Sequence, residues 1–201
     1  MNTDLKNRAA KEAANLLYSG AEKEYKQAKI HAAQTLGTHF LPSNLEVALE
    51  LDRIAEENEG NRVERLVQMR REALQVMKIL DVYRPLLLGS VWRGTIRRGS
   101  DIDIAAYADD PQEIVDKLTA AGLKIQKTER TKVNKHGRTL SSLHLHAETE
   151  SGHGLEIVVR AEEESGERRK CEIFGDEIKG LKTKELERLL RDNPAQKFIP
   201  A

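Results

Sequence analysis

The chain has 201 residues, 39% hydrophobic and 33% charged, enough for one large domain or a domain with a helical appendage. Its 33 basic and 33 acidic residues cancel, so affinity for a polyanion has to come from a local patch. One cysteine, Cys171, excludes an intramolecular disulfide framework; with no signal-like N-terminus and no run near the roughly 20 apolar residues of a membrane span, a cytoplasmic location and no membrane partner are expected.

Residues 1–80 read as a helical N-terminal region. Leu5, Ala9, Ala13, Leu16 and Leu17 recur at helical spacing as far as Gly20, and Tyr25, Ala28 and Ala32 form a second stripe. Ser43-Asn44-Leu45-Glu46 is a capping-box pattern opening a helix with Val47, Ala48, Leu51, Ile54 and Ala55 inward. A further helix carries Val63, Leu66, Val67, Leu74, Met77 and Leu80 on one face. From 81 to 201 the texture changes. "LLLG" is a short apolar strand and "DIDIAAY" alternates at period two; Asp110-Pro111 starts a helix that Gly122 closes. "LKIQKTERTKV", "RTLSSLHLHAE" and "GLEIVVR" are strands joined by turns, and Thr183 caps a last helix over 184–192, stopped by Pro194. The second region is therefore a β-α-β-β-β core followed by a helix.

The stretch "LLLGSVWRGTIRRGSDIDI", residues 86–104, departs from an ordinary soluble domain. On a strand Asp101 and Asp103 share a face, with Ile102 and Ile104 pointing into a core. Asp is disfavoured in strands and neighbouring carboxylates repel, so the pair calls for a divalent cation; oxygen ligands and retained waters suit Mg²⁺. Alone, the pair reads equally well as the acidic solvent face of a strand. Gly89-Ser90 adds the second element: a small turn after an apolar strand admits a phosphate to backbone N–H groups and a hydroxyl. The chain lacks both the P-loop pattern and the kinase motifs.

Strand, Gly-Ser, short helix and Asp-x-Asp together resemble the signature of the polymerase-β-like nucleotidyltransferase superfamily, which includes CCA-adding enzymes, poly(A) polymerases and minimal nucleotidyltransferases. The resemblance spans about residues 85–160. It implies an α/β fold, a small mixed β-sheet core with flanking helices, in a catalytic domain over 81–201. It also implies a third carboxylate on a later strand. Glu156, between Leu155 and Ile157, fills that place, with Glu148 as the fallback. The implied reaction is in-line attack of an acceptor hydroxyl on the α-phosphate of an NTP, ATP or CTP, with release of pyrophosphate. Two Mg²⁺ ions about 3.5–4 Å apart would be held by Asp101, Asp103 and Glu156. Whether the longer Glu156 binds metal or serves only as a base stays open. Gly89 and Ser90 would grip the phosphates. Ser100 matches the family pattern, and Arg93 is either a phosphate contact or a solvated helix residue.

The acceptor is less legible. "KIQKTERTKVNKHGR" concentrates Lys124, Lys127, Arg130, Lys132, Lys135 and Arg138 against one acid, Glu129. As a polyanion surface, with Lys132, Lys135 and Arg138 at its centre, it points to an RNA 3′ end of tRNA type; the alternative is a solvated edge hairpin. Transfer of a nucleotide onto a protein hydroxyl, as minimal antitoxin-like members perform, is a second reading, and a non-catalytic nucleotide- or RNA-binding module a third. His144 and His146 share a strand face and His153 follows in a turn, a pattern open to a zinc site or to ordinary polar strand residues.

Overall fold

The computed structural model describes residues 2–135 and 138–200, with side chains described over 4–132 and 140–200. The chain separates into two compact units. The first comprises the residues up to Arg62, the segment Lys170–Glu177 and the C-terminal residues from Ile199. Its helices α1 (Asn2–Ser19), α2 (Tyr25–Thr35) and α3 (Asn44–Asn58) enclose an alanine-rich core of Ala10, Ala13, Ala14, Ala28 and Ala32 around Leu17, Val47, Leu51 and Ile54. Small side chains of this kind let helices approach closely. The capping box opens α3 as its pattern predicts. Ser43 Oγ accepts from the Glu46 N–H at 3.2 Å, and the Ser43 N–H donates to the Glu46 carboxylate at 2.7 Å.

The second unit, Val63–Arg169 with Ile178–Phe198, contains nearly all of α4 (Arg62–Ile79) and the sheet. In chain order come β1 (Leu86–Leu88), α5 (Gly89–Arg93), β2 (Ile102–Tyr107), α6 (Pro111–Ala120) and β3 (Ile125–Lys135). Then follow β4 (Arg138–Glu148), β5 (Gly154–Arg160), β6 (Leu181–Lys182) and α7 (Thr183–Asp192). The strands order as β3-β4-β5-β2-β1-β6, with β2 parallel to β5 and the other neighbours antiparallel. This is the mixed α/β sheet with flanking helices that was expected. Asp110 caps α6 by accepting from the Gln112 N–H at 2.9 Å, with Pro111 at the first helical position. Thr183 is the first helical residue of α7 and not its cap; the Lys182 N–H, donating to Glu185 at 2.8 Å, closes that end.

Period-two alternation divides the sheet into two chemically different faces. Ile102 and Ile104, Leu155, Ile157 and Val159, and Leu143, Leu145 and Ala147 lie on the apolar face. They form one core with Met69, Ala73 and Met77 of α4, Ile114 and Leu118 of α6, and Leu186 and Leu189 of α7. Each such side chain contributes about 1.5–3 kcal/mol relative to exposure, so this face fixes the register of the other. Asp103, Glu156, His144 and His146 occupy the opposite face.

Arg70 of α4 is fully buried. Its guanidinium donates to the carbonyls of Val91 and Trp92 at 3.0 and 2.8 Å, and to those of Pro194 and Gln196 at 2.6 and 2.9 Å. Burial lowers its pKa to about 10, which still leaves it charged at neutral pH. It therefore ties the end of α5 to the segment after α7. Among the described residues, no helix is long and apolar enough to cross a membrane.

Candidate active site

The site forms where β1 turns into α5 beside β2. Leu88 stands opposite Asp103 in the β1–β2 register, so the next residue, Gly89, passes directly against the Asp103 carboxylate. Gly89 adopts φ +64°, and a Cβ there would overlap the Asp103 carboxylate. Both observations demand glycine. A second glycine does the same for the other carboxylate: a Cβ on Gly154, at the start of β5, would overlap Asp101. The backbone thus approaches both carboxylates as closely as a polypeptide can. Ser90, half-buried, follows Gly89 in the first turn of α5. Ser100 shapes the approach to β2. Its hydroxyl accepts from the Arg97 N–H and its N–H donates to the Arg97 carbonyl, both at 2.9 Å, closing the turn before Asp101.

Asp101 is exposed and Asp103 half-buried. Glu156 is the direct register partner of Asp103 across the parallel β2–β5 pair, so the three expected carboxylates share one face of the sheet. Burial, then the charge of Glu156, then that of Asp101, push the Asp103 carboxyl from 3.8 up to about 7. Asp103 therefore sits in a field that asks for a positive charge. Glu148, the alternative third carboxylate, is exposed at the end of β4 and accepts from Gln126 at 3.2 Å, level with Gly154.

Glu156 has a partner that the sequence did not disclose. His144 Nδ1 lies 2.6 Å from Glu156 Oε1, and Ser142 Oγ lies 3.1 Å from His144 Nε2. A carboxylate only accepts, so Nδ1–H donates to Glu156, while the Ser142 hydroxyl meets Nε2 on the other side of the ring. The alternation of "SSLHLHAE" places Ser142, His144 and His146 on one face, but which strand lies alongside, and in what register, depends on tertiary pairing. His146 stands 3.4 Å from Glu129 and His153 2.8 Å from Glu72, so each histidine faces a different carboxylate. Among the described residues, no three His, Cys, Asp or Glu groups are arranged to hold a metal ion.

Two further candidates are placed elsewhere. Arg93 is buried, its guanidinium 4.5 Å from the Trp92 ring and donating to the Phe198 carbonyl at 3.0 Å, so it is not a solvated helix residue. On β3, Lys127, Glu129 and Thr131 stand opposite His146, His144 and Ser142, on the carboxylate face. Lys132 pairs with Ser141 and points to the other face, exposed. The side chains of Lys135 and Arg138 lie outside the described residues.

The sequence profile of the nucleotidyltransferase domain matches residues 70–171, half of the chain, and takes in every element of this site. The chain belongs to the nucleotidyltransferase domain family. The expected α/β class and the nucleotidyltransferase resemblance of residues 85–160 therefore hold. No curated protein matches the chain. Among solved structures, it is similar to a cytoplasmic RNA terminal U-transferase, with 14% identity, 58% of this chain and 34% of that one covered, and a TM-score of 0.33. It is also similar to a GLD-2/RNP-8 complex, with 10% identity, 60% and 38% covered, and a TM-score of 0.35. The nucleotidyltransferase chain described here spans little more than a third of either.

The donor chemistry of the site fits the divalent cation that this family's reaction uses. Two adjacent carboxylates, one of them pushed up to about 7, form a hard, oxygen-only and over-charged pair, with Asp103 packed directly against the Gly89 backbone. Mg²⁺ is commonly held by one or two carboxylates, with waters and substrate phosphates completing its shell. Asp101 and Asp103 can meet that demand without a third protein ligand.

Proposed function

We propose that the protein transfers a nucleoside monophosphate from an NTP to an acceptor hydroxyl, on an RNA 3′ end, releasing pyrophosphate. The observation that carries this reading is the pair of glycines, Gly89 and Gly154, opened against Asp101 and Asp103 with Glu156 in register beside them. A divalent cation bound at Asp101 and Asp103 supplies charge neutralisation for the phosphates and for the attacking and leaving oxygens. Gly89 and Ser90 present backbone N–H groups and a hydroxyl to the β- and γ-phosphates, while the missing Cβ at 89 lets Asp103 lie against the same turn. The acceptor oxygen bonds to the α-phosphorus, the bond to the β-phosphate oxygen breaks, and the hydroxyl proton passes to Glu156.

The support for RNA is the basic first half of β3 and the turn before it. Lys124, Lys127, Arg130 and Lys132 are exposed there, in a chain that is neutral overall. Register alternation spreads them over both faces of the edge strand, an arrangement that suits the sugar-phosphate backbone of a folded RNA passing round the edge.

The test is incubation with Mg²⁺ and each α-labelled NTP, together with total RNA, total cell protein or neither, beside the Asp103→Asn variant. Label in a discrete RNA band that disappears in Asp103→Asn is the expected result. Label in a protein band replaces RNA with a protein acceptor. Nucleotide binding without label in any mixture replaces the enzyme with a binding module.

A further inference from the structure

We propose that His144 is a positioning residue that holds Glu156 in place for the acceptor hydroxyl. Glu156 has a choice of neighbours. On one flank of β5 lies β2, with Asp103 directly in register; on the other lies β4, with the imidazole of His144. Asp103 carries a like charge, and the repulsion helps to push its own carboxyl upward. His144 offers a donor. Glu156 takes the donor, at 2.6 Å through Oε1.

The reach needed for this is specific to glutamate. The register partner of Glu156 on β4 is His146, and His144 sits opposite Val158, so the bond runs along a diagonal of the sheet. Diagonal pairs stand about 7–8 Å apart and are spanned only by long side chains. A long side chain left free also loses rotamer entropy when it is ordered for catalysis, and a bond made in advance removes that cost from the reaction. His144 is braced in turn, because Ser142 Oγ meets Nε2 at 3.1 Å. Asp101 and Asp103 hold the phosphate side, and Glu156 presents Oε2, the oxygen not bound to His144, to the hydroxyl proton.

This rests on the proposed nucleotide transfer, so the test reads the contact and its use separately. The contact is read by ¹⁵N-edited NMR. The Nδ1–H proton of His144, assigned by its loss in His144→Gln, stands far downfield in the parent and moves upfield in Glu156→Ala. Its use is read by steady-state kinetics. His144→Leu lowers kcat by about 10²-fold, the scale set by a small misplacement of a catalytic group, with KM for the NTP unchanged. His144→Gln, which keeps a donor for Glu156, recovers most of the loss. Equal kcat in parent, His144→Leu and His144→Gln overturns the positioning role, as does a fall in His144→Leu that Gln does not rescue. A parent that transfers nucleotide without the downfield resonance defeats the contact and spares the reaction. A parent with the resonance and no transfer defeats the reaction, and the positioning role with it.

Discussion

Asp103→Asn is the most direct perturbation of the site. The Asp103 carboxyl titrates near 7 in the folded protein and at 3.8 ordinarily, a difference of about 3 pH units. At about 1.4 kcal/mol per unit, ionised Asp103 costs the metal-free fold at most about 4 kcal/mol. Because the group is half-buried and still partly hydrated, about 2–4 kcal/mol is the working range. The folded carboxyl holds its proton more tightly than the unfolded one. Parent stability therefore falls as pH rises from about 4 through about 7, and stays lowered above. Asn has the shape of the neutral carboxyl and does not titrate. The gap between parent and Asp103→Asn should be small at pH 5, under half its size at pH 8, where the variant should melt higher by about 4–16 °C at 2–4 °C per kcal/mol. Millimolar Mg²⁺ should close the gap at pH 8 by raising the parent alone, since only the parent keeps both aspartates of the site. Scanning calorimetry at the two pH values, with and without Mg²⁺, decides it. A gap of the same size at pH 5 and pH 8 refutes the electrostatic origin, and equal Mg²⁺ shifts in both proteins refute the cation site.

Three further outcomes are expected. Gly89→Ala strains a left-handed position by about 1–2 kcal/mol and drives a methyl group into Asp103, so melting temperature and nucleotide transfer should fall together, whereas Gly99→Ala, left-handed with nothing near its Cβ, should cost stability alone. Arg70→Met leaves four carbonyls without their buried donor and should lower stability by about 3–5 kcal/mol, read as a denaturant midpoint, with Arg70→Lys recovering part of it. Lys132→Ala should weaken RNA binding uniformly across sequences and reduce the salt slope of log K by about 1; an unchanged slope removes Lys132 from the RNA surface.

Features whose cause is local were legible in the sequence. Ser43 with Glu46, and Asp110 with Pro111, announce helix starts because their hydrogen bonds and dihedral limits act within three residues. "GLEIVVR" and "RTLSSLHLHAE" coincide with β5 and β4, since alternation is a property of the strand itself. What escaped depends on partners distant in the chain. β6 is two residues long and exists through its pairing with β1. Arg70, on which the sequence reading is silent, and Arg93, left open between a phosphate contact and a solvated residue, are both buried because carbonyls at 194–198 come back to meet them. Asp101 and Asp103 read as a pair from their alternation, and Glu156 separately from the resemblance. The register that sets Asp103 beside Glu156, and Glu156 beside His144, is a property of the folded sheet alone.

The site sits where the chain breaks the rules it obeys elsewhere. β2 is buried along its whole length except at Asp103, and β5 alternates without a lapse, so the apolar face leaves no freedom to slide the carboxylates apart. Two glycines bring backbone against charge where a side chain would have shielded it. The result is a carboxyl pushed up to about 7 within an otherwise consistent sheet, an electrostatic conflict sustained by the packing behind it. On the proposed function, the cation that would relieve this conflict arrives with the substrate. Sheet, glycines and the His144 bond hold the anionic groups in place before that cation binds. Little then has to reorganise when phosphate and cation enter together, which is what electrostatic preorganisation requires.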